Sequence, residues 1–284
     1  MKKLCVIGDP VVHSKSPLIH NTMLGALGAD YVYHLQQVAR GETAVWLAKA
    51  KAEGYAGFNA TMPHKQALVS LVDVLDEDAA LYGSVNTVCI KSGKVYGYNT
   101  DGRGFVAALA SEGIFIRGRC VTLLGAGGAA KAVALKLAQQ GAERVYVCNR
   151  TLDKAEELCQ HDPGVLIPAG FAPDTLKALA GESDLLVNCT SLGMEGTAGQ
   201  FDDFSFLEAL PAGAAVCDLI YAPDETALLA HARRLGCPTL NGLGMLIWQA
   251  IFALEHFTNT RIDGPAMAAL LKETLQKDKA DAVT

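Results

Sequence analysis

Short apolar runs alternate with stretches of helical periodicity along almost the whole chain. Residues 4–7 read as a strand, and Ser16-Pro17 marks a helix start, with Ser as N-cap and Pro at the first helical position. A second strand is expected at 31–38, a helix at 42–53 and a third strand at 57–61. Pro63 opens another helix, because its fixed φ suits a first turn. Strands at 85–90 and 94–98 flank Ser92-Gly93, the pattern of a hairpin. From residue 120 the alternation becomes cleaner. Strands fall near 120–124, 144–148, 184–189 and 215–220, with helices between, and a long helix is expected at 243–257. Alternation of this kind predicts parallel sheets covered by helices, the α/β class. The break falls in the helix at 104–112. It implies two domains, one formed by 1–103 with 242–284 and the other by 104–241.

Composition narrows the class. The 284 residues suffice for about two domains. Half are apolar and 19% are charged, so the chain can build full cores and does not read as disordered. Lys and Arg number 24 against 30 Asp and Glu, a net charge of −6. A nucleic-acid partner calls for a basic excess and is not expected. An acidic balance still admits an anionic small ligand at a helix end or beside a few cations.

The apolar run at 4–7 stops at Gly8-Asp9-Pro10, too short for a signal peptide. The stretch 243–254 falls short of the ~20 residues of a membrane span. The eight cysteines show no C-x-x-C spacing and lie mostly in strand-like runs, at Cys5, Cys89, Cys120, Cys148, Cys189 and Cys217. That pattern reads as reduced, buried thiols. The seven His lack ligand spacing, so no metal is expected. The expectation is a cytoplasmic monomer or homodimer that acts on a small molecule.

The strand at 120–124 runs into Gly125-Ala126-Gly127-Gly128-Ala129-Ala130, and a helical pattern follows. This is G-x-G-x-x-G/A with Ala130 in the last place. Gly125 permits the tight turn, Gly127 lets backbone approach a pyrophosphate, and Ala130 keeps helix against strand. The N–H groups at the helix start would bind the phosphates. The bland reading is a turn that needs glycines only for geometry; the strand-to-helix context weighs against it. The next strand ends in Asn149-Arg150-Thr151. An NAD site usually carries an acid about 20 residues after the glycines. A carboxylate there repels a ribose phosphate, whereas a guanidinium pairs with it, so Asn149 and Arg150 predict NADP over NAD. The bland alternative for Arg150 is a solvated surface side chain.

In the first half, polar residues gather where strands end: His13-Ser14-Lys15-Ser16, Asn59-Ala60-Thr61, Lys65, Asn86-Thr87 and Asn99-Thr100-Asp101. In open α/β sheets ligands sit beyond the carboxyl ends of strands. Converging hydroxyls and amides would suit a small polyhydroxylated acid. Taken singly, Ser16 can cap a helix, Asn86 and Asn99 can shape turns, Lys65 can be solvated and Asp101 can cap the helix after it. Together, Lys65 and Asp101 could form a proton-transfer pair. Burial lowers a lysine pKa and a neighbouring carboxylate raises it, and sequence does not say which wins.

These residues resemble a known family, shikimate dehydrogenase. The likeness is carried by Gly8-Asp9-Pro10-Val11-Val12-His13-Ser14-Lys15-Ser16-Pro17, Asn59-Ala60-Thr61-Met62-Pro63-His64-Lys65, Gly83-Ser84-Val85-Asn86-Thr87 and Gly97-Tyr98-Asn99-Thr100-Asp101-Gly102. It continues through the glycine loop, Asn149-Arg150-Thr151, Asn188-Cys189-Thr190-Ser191-Leu192-Gly193-Met194, Asp218-Leu219-Ile220-Tyr221 and Gly242-Leu243-Gly244-Met245-Leu246-Ile247-Trp248-Gln249. Ala60 stands where Val is usual and Leu219 where Met is frequent; neither touches a proposed catalytic atom.

The resemblance implies a substrate domain completed by the C-terminal helices and a Rossmann-type NADP domain, with the active site in the cleft between them. Lys65 and Asp101 would be the catalytic pair. Ser14 and Ser16 would bind the substrate carboxylate, and Thr61, Asn86, Tyr221 and Gln249 would contact its carboxylate or ring hydroxyls. Gly125, Ala126, Gly127, Gly128 and Ala129 would cradle the pyrophosphate, and Asn149, Arg150 and Thr151 the adenosine phosphate end. Thr190, Leu219 and Gly242 would line the nicotinamide side. The implied reaction is reversible NADPH-dependent reduction of 3-dehydroshikimate to shikimate, a step toward chorismate and the aromatic amino acids. Two alternatives stay open: a broader quinate/shikimate dehydrogenase that also uses NAD, and a non-catalytic NADP or shikimate sensor. A methylene-tetrahydrofolate dehydrogenase also pairs two such domains, but Ser14/Ser16 and Asn149/Arg150 do not suit its substrate.

Overall fold

The computed structural model of the chain describes residues 1–197 and 199–283; Thr284, the last residue of the predicted segment 242–284, lies outside them. The chain divides into two compact units, Met1–Gly104 with Ile247–Thr284, and Phe105–Leu246. Each unit holds one six-stranded sheet.

In the first unit, β1 (Lys2–Gly8), α1 (Ser16–Ala26), β2 (Tyr31–Gln37), α2 (Thr43–Ala52) and β3 (Tyr55–Ala60) follow one another. β2 and β3 pair with β1 on its two sides, both parallel to it. Next come β4 (Val74–Leu75), α3 (Glu77–Tyr82), β5 (Thr87–Lys91) and β6 (Lys94–Tyr98). β5 and β6 form the predicted hairpin. Ser92 and Gly93 both take positive φ, 50° and 78°, as its two-residue turn requires. β5 runs antiparallel to β3, so this sheet, in the order β2-β1-β3-β5-β6-β4, is mixed where the alternation predicted parallel. The two-residue turn accounts for the antiparallel β5–β6 pair, since only a long crossover preserves strand direction.

The helix predicted at Pro63 is absent. Residues 62–66 form turns that lead into a 3-10 turn, Ala67–Ser70. The Lys65 carbonyl, which an α-helix would give to the Val69 N–H, accepts instead from the Val85 N–H at 2.9 Å, and Val69 turns to Gln66. Ser16 is also not a cap. The cap position is Lys15, and α1 starts at Ser16 with Pro17 in its first turn.

The second unit begins within α4 (Asp101–Ser111) and contains β7 (Cys120–Leu124), α5 (Gly128–Gln139), β8 (Arg144–Cys148), α6 (Leu152–Cys159), β9 (Leu166–Ala169) and α7 (Pro173–Ala180). It continues with β10 (Leu185–Asn188), β11 (Ala215–Asp218), α8 (Ala227–Arg234) and β12 (Thr239–Leu240). All its strand pairs are parallel, in the order β12-β11-β10-β7-β8-β9. Counted from β7, that is the doubly wound order of dinucleotide-binding sheets, with its switch point between β7 and β10. β9 lies outside the strands that the alternation predicts; it contains Pro168, which is tolerated because β9 is an edge strand.

The division falls again within α9 (Leu243–Thr258), which α10 (Gly264–Val283) follows. The tail packs on the first sheet. A Cβ on Gly57 of β3 would lie 2.7 Å from the Phe257 ring of α9, and Lys15 pairs with Asp278 of α10 at 2.7 Å. Buried side chains such as Ile7, Trp46, Phe58, Leu68 and Val88 form one core, and Leu124, Leu186, Phe206, Val216 and Leu228 the other. Each such large apolar side chain contributes roughly 1.5–3 kcal/mol. Among the described residues, no helix is long and apolar enough to cross a membrane, and no cluster of His, Cys, Asp or Glu could hold a metal ion.

Candidate active site

The polar segments of the first unit gather at one end of its sheet for a topological reason. β1 is a switch point, because the chain leaves it to one side for β2 and returns to the other for β3. The loops after β1 and β3 therefore begin side by side. The Thr61 N–H donates to the Ile7 carbonyl at 2.9 Å and the Asp9 N–H to the Met62 carbonyl at 3.1 Å. β5 is antiparallel, so its start, at Asn86-Thr87, and the end of β6, at Tyr98, lie at this same end.

Lys65 and Asp101 meet there. Nζ lies 2.6 Å from Oδ2, with the carboxylate side chain 10% exposed and the lysine 27%. The lysine loop is anchored by its neighbour: buried His64 donates through Nε2 to the Val38 carbonyl at 2.9 Å, and its Nδ1 pairs with the Thr43 hydroxyl at 2.8 Å. Asp101 opens α4, and its own N–H donates to the Asn99 side chain at 3.0 Å, so Asn99 takes the capping part that Asp101 could have played. The carboxylate is thereby left to face Lys65 and the Asn86 amide, which donates to Oδ1 at 2.8 Å.

Ser14 and Ser16 are half-buried, their hydroxyls 3.1 Å apart. Ser14 Oγ also accepts from the Ser16 N–H at 3.3 Å, and the Ser16 hydroxyl makes no capping bond, so the pair still has hydroxyl hydrogen-bonding capacity for a ligand. Thr61 is half-buried just beyond β3. Gln249, on α9, packs against α4 at Gly104, where a Cβ would lie 2.7 Å from Gln249 Cβ. Tyr221 belongs to the second unit, exposed in the loop after β11.

In the second unit the glycine loop joins β7 to α5 at the switch point. Gly125 has φ +110°, and its N–H donates to the Cys148 carbonyl at 2.7 Å. A Cβ there would also crowd Thr190 Cγ2 at 3.2 Å, so the position needs glycine twice over. Ala126 is half-buried, whereas Gly127, Gly128 and Ala129 are exposed and Ala130 is fully buried. Apart from the adjoining backbone and chain neighbours, no atom of the described residues lies within 4 Å of the place a Cβ would take on Gly127 or Gly128. Their smallness leaves room for something outside the chain, and the first N–H groups of α5 face that room, as a pyrophosphate requires.

Asn149 donates to the Thr151 carbonyl at 2.8 Å. Thr151 caps α6 by position, yet its hydroxyl makes no capping bond. Arg150 is exposed and has no carboxylate partner among the described residues. This set fits an adenosine ribose phosphate. Thr190 donates to the Asn188 side chain at 2.7 Å, and the Leu219 N–H to the Asn188 carbonyl at 3.0 Å. A Cβ on Gly242 would sit 2.0 Å from the Leu219 carbonyl oxygen, so glycine is what lets these two loops touch.

Two buried polar groups to which the sequence assigns no role lie beside these residues. Tyr33 sits within an apolar-looking strand and donates to Asn59 at 2.7 Å. Asp218 ends β11 and binds Asn188, Ile220 and Thr226. Burial raises the Asp218 pKa to about 6.

Two family models match the chain: the shikimate dehydrogenase substrate binding domain over residues 6–88, and shikimate / quinate 5-dehydrogenase over residues 109–194. An NADP(+) shikimate dehydrogenase of Alkaliphilus metalliredigens is 43% identical over 89% of this chain and 90% of its own length. The chain belongs to the shikimate dehydrogenase family. The family likeness extends to solved structures. A shikimate 5-dehydrogenase of Thermus thermophilus, in complex with NADP(H) and shikimate, matches with a TM-score of 0.83 and 32% identity, over 96% of this chain and all of that one. A 5-ketofructose reductase of Gluconobacter matches at 32% identity and a TM-score of 0.81, over 96% and 98%.

Proposed function

We propose that this protein is an NADP-dependent shikimate dehydrogenase that interconverts 3-dehydroshikimate and shikimate. It would work in the cytoplasm as a monomer or homodimer. The observation that carries the reading is the 2.6 Å contact of the Lys65 ammonium with the Asp101 carboxylate at the polar end of the first sheet. Ser14 and Ser16 offer two adjacent hydroxyl donors to the substrate carboxylate. Thr61, Asn86, Tyr221 and Gln249 are the proposed contacts to its carboxylate or ring hydroxyls.

NADP would be held by the loop of Gly125, Ala126, Gly127, Gly128 and Ala129 and by Asn149, Arg150 and Thr151. Thr190, Leu219 and Gly242 would line its nicotinamide side. When bound, the cofactor supplies the hydride that the ring ketone carbon receives. Lys65 gives a proton from Nζ to the ketone oxygen and is left as a neutral amine; in the reverse direction that amine takes the hydroxyl proton. Asp101 keeps Nζ from swinging into solvent.

The test follows NADP reduction at 340 nm with shikimate, with quinate in parallel and NAD replacing NADP, and NADPH oxidation with 5-ketofructose. Turnover of shikimate with NADP well above the other combinations is expected. Equal use of quinate or NAD would favour the broader quinate/shikimate enzyme. Tight binding of NADP or shikimate without turnover would favour the sensor.

A further inference from the structure

Beneath the Lys65–Asp101 pair, buried side chains form a continuous hydrogen-bonded file across the sheet. The Tyr33 hydroxyl lies 2.7 Å from Asn59 Oδ1, Asn59 Nδ2 lies 3.0 Å from the Thr87 hydroxyl, and that hydroxyl lies 2.8 Å from Asn86 Oδ1. Asn86 Nδ2 completes the file, 2.8 Å from Asp101 Oδ1. None of the first four is more than 7% exposed.

The direction of every bond is fixed from within. Asn59 Nδ2 also meets the Asn86 carbonyl at 3.1 Å, which can only accept, so Oδ1 is the end that faces Tyr33. Asn86 Oδ1 also meets the Thr100 N–H at 3.0 Å, which can only donate, so Nδ2 is the end that faces Asp101. Thr87 accepts from Asn59 and has one hydrogen, which goes to Asn86. Tyr33 must donate to an oxygen, and burial holds its pKa well above the ordinary value, so the proton stays. His20 stacks on the Tyr33 ring at 4.1 Å and, with its pKa pushed down to about 3 by burial, brings no charge. Four donors in series therefore run one way, toward the carboxylate. Bonds aligned like this polarise one another.

We infer that Tyr33, Asn59 and Thr87 are positioning residues, which through Asn86 hand a polarised donor to Asp101 when Lys65 surrenders its proton. The inference rests on the proton-transfer reading of Lys65 and Asp101. Before reduction the carboxylate is balanced by an ammonium at 2.6 Å. As the Nζ–H bond breaks and the ketone oxygen gains the proton, that balance is lost and the aligned donors take its place. The file thus matters more at the transition state of reduction than before it. In the reverse direction Lys65 starts neutral, and the same donors already serve the ground state.

The test compares Thr87→Val, which removes the hydroxyl at constant shape, with Thr87→Ser, which keeps it. Single-turnover rates are measured for reduction of 3-dehydroshikimate by NADPH and for oxidation of shikimate by NADP, with KM and thermal melting alongside. Thr87→Val is expected to slow reduction about 5-fold, to slow oxidation less and to leave KM for 3-dehydroshikimate within about 2-fold. Thr87→Ser is expected to stay at the wild-type rate. Wild-type rates in Thr87→Val, or equal slowing in both directions, would overturn the inference. If Thr87→Val does not fold, Tyr33→Phe makes the same comparison from the far end, with about 2-fold slower reduction expected and an unchanged reduction rate overturning the inference. A wild-type protein inactive on shikimate overturns the functional reading itself, an outcome separate from any variant's.

Discussion

Asp218 is 1% exposed at the end of β11. It accepts from Asn188 Nδ2 at 3.0 Å, the Ile220 N–H at 3.1 Å and the Thr226 hydroxyl at 2.7 Å. Burial outweighs these donors and lifts its pKa from 3.8 to about 6. With the folded pKa above the unfolded one, the folded state binds the proton more firmly. The resulting stability is complete below the unfolded pKa and is lost as pH rises through the folded one. Between about pH 4.5 and 7.5 the linkage removes about 2 kcal/mol. Asp218→Asn keeps the shape and cannot titrate. Its oxygen can accept from Asn188 and Ile220, and its amide can donate to the Thr226 hydroxyl. The variant should therefore gain about 2 kcal/mol on the wild type across that pH range. Urea unfolding of both proteins at several pH values, followed by circular dichroism, reads this directly, because every other titrating group cancels in the difference. A difference that does not change with pH, or that changes in the opposite sense, refutes the assignment of a desolvated carboxylate.

Three other substitutions probe the remaining parts. Lys65→Ala should lower kcat by roughly 10²–10⁴-fold, with shikimate binding by calorimetry largely kept; near-normal turnover would remove Lys65 from the chemistry. Arg150→Ala should raise KM for NADP roughly 10- to 100-fold and leave KM for NAD almost unchanged, the size of one or two lost charge-assisted bonds; equal effects on both cofactors would place Arg150 away from the ribose phosphate. Gly242→Ala drives a Cβ to 2.0 Å from the Leu219 carbonyl and should destabilise the protein by about 1–3 kcal/mol, read as a lower thermal midpoint; an unchanged midpoint would mean that the two loops part easily.

The glycine loop was legible because its chemistry is local. A strand, a turn at positive φ and a helix N-terminus all lie within 120–139, and Gly125 to Ala130 take up the expected positions. The hairpin at Ser92-Gly93 was legible for the same reason. The helix predicted at Pro63 failed because a contact from outside the segment, the Val85 N–H, claims the Lys65 carbonyl. Ser16 looked like a cap, and the structure instead leaves its hydroxyl free of that duty. Tyr33 gave no signal at all, since a tyrosine in a strand is ordinary until its partner is known.

Sequence alone determined most of the elements, the segment at Pro63 and β9 excepted, and which short segments carry chemistry, because backbone preference and hydrophobic period act over a few residues. What only the tertiary structure decided is which of those segments meet. Lys65 and Asp101 are 36 positions apart and face each other at 2.6 Å because β3 and β6 end, and the antiparallel β5 begins, at the same end of one sheet. The donor order from Tyr33 to Asp101 belongs to the tertiary structure as well. An amide can be turned either way, and only a carbonyl or an N–H brought from elsewhere in the fold fixes which end it presents.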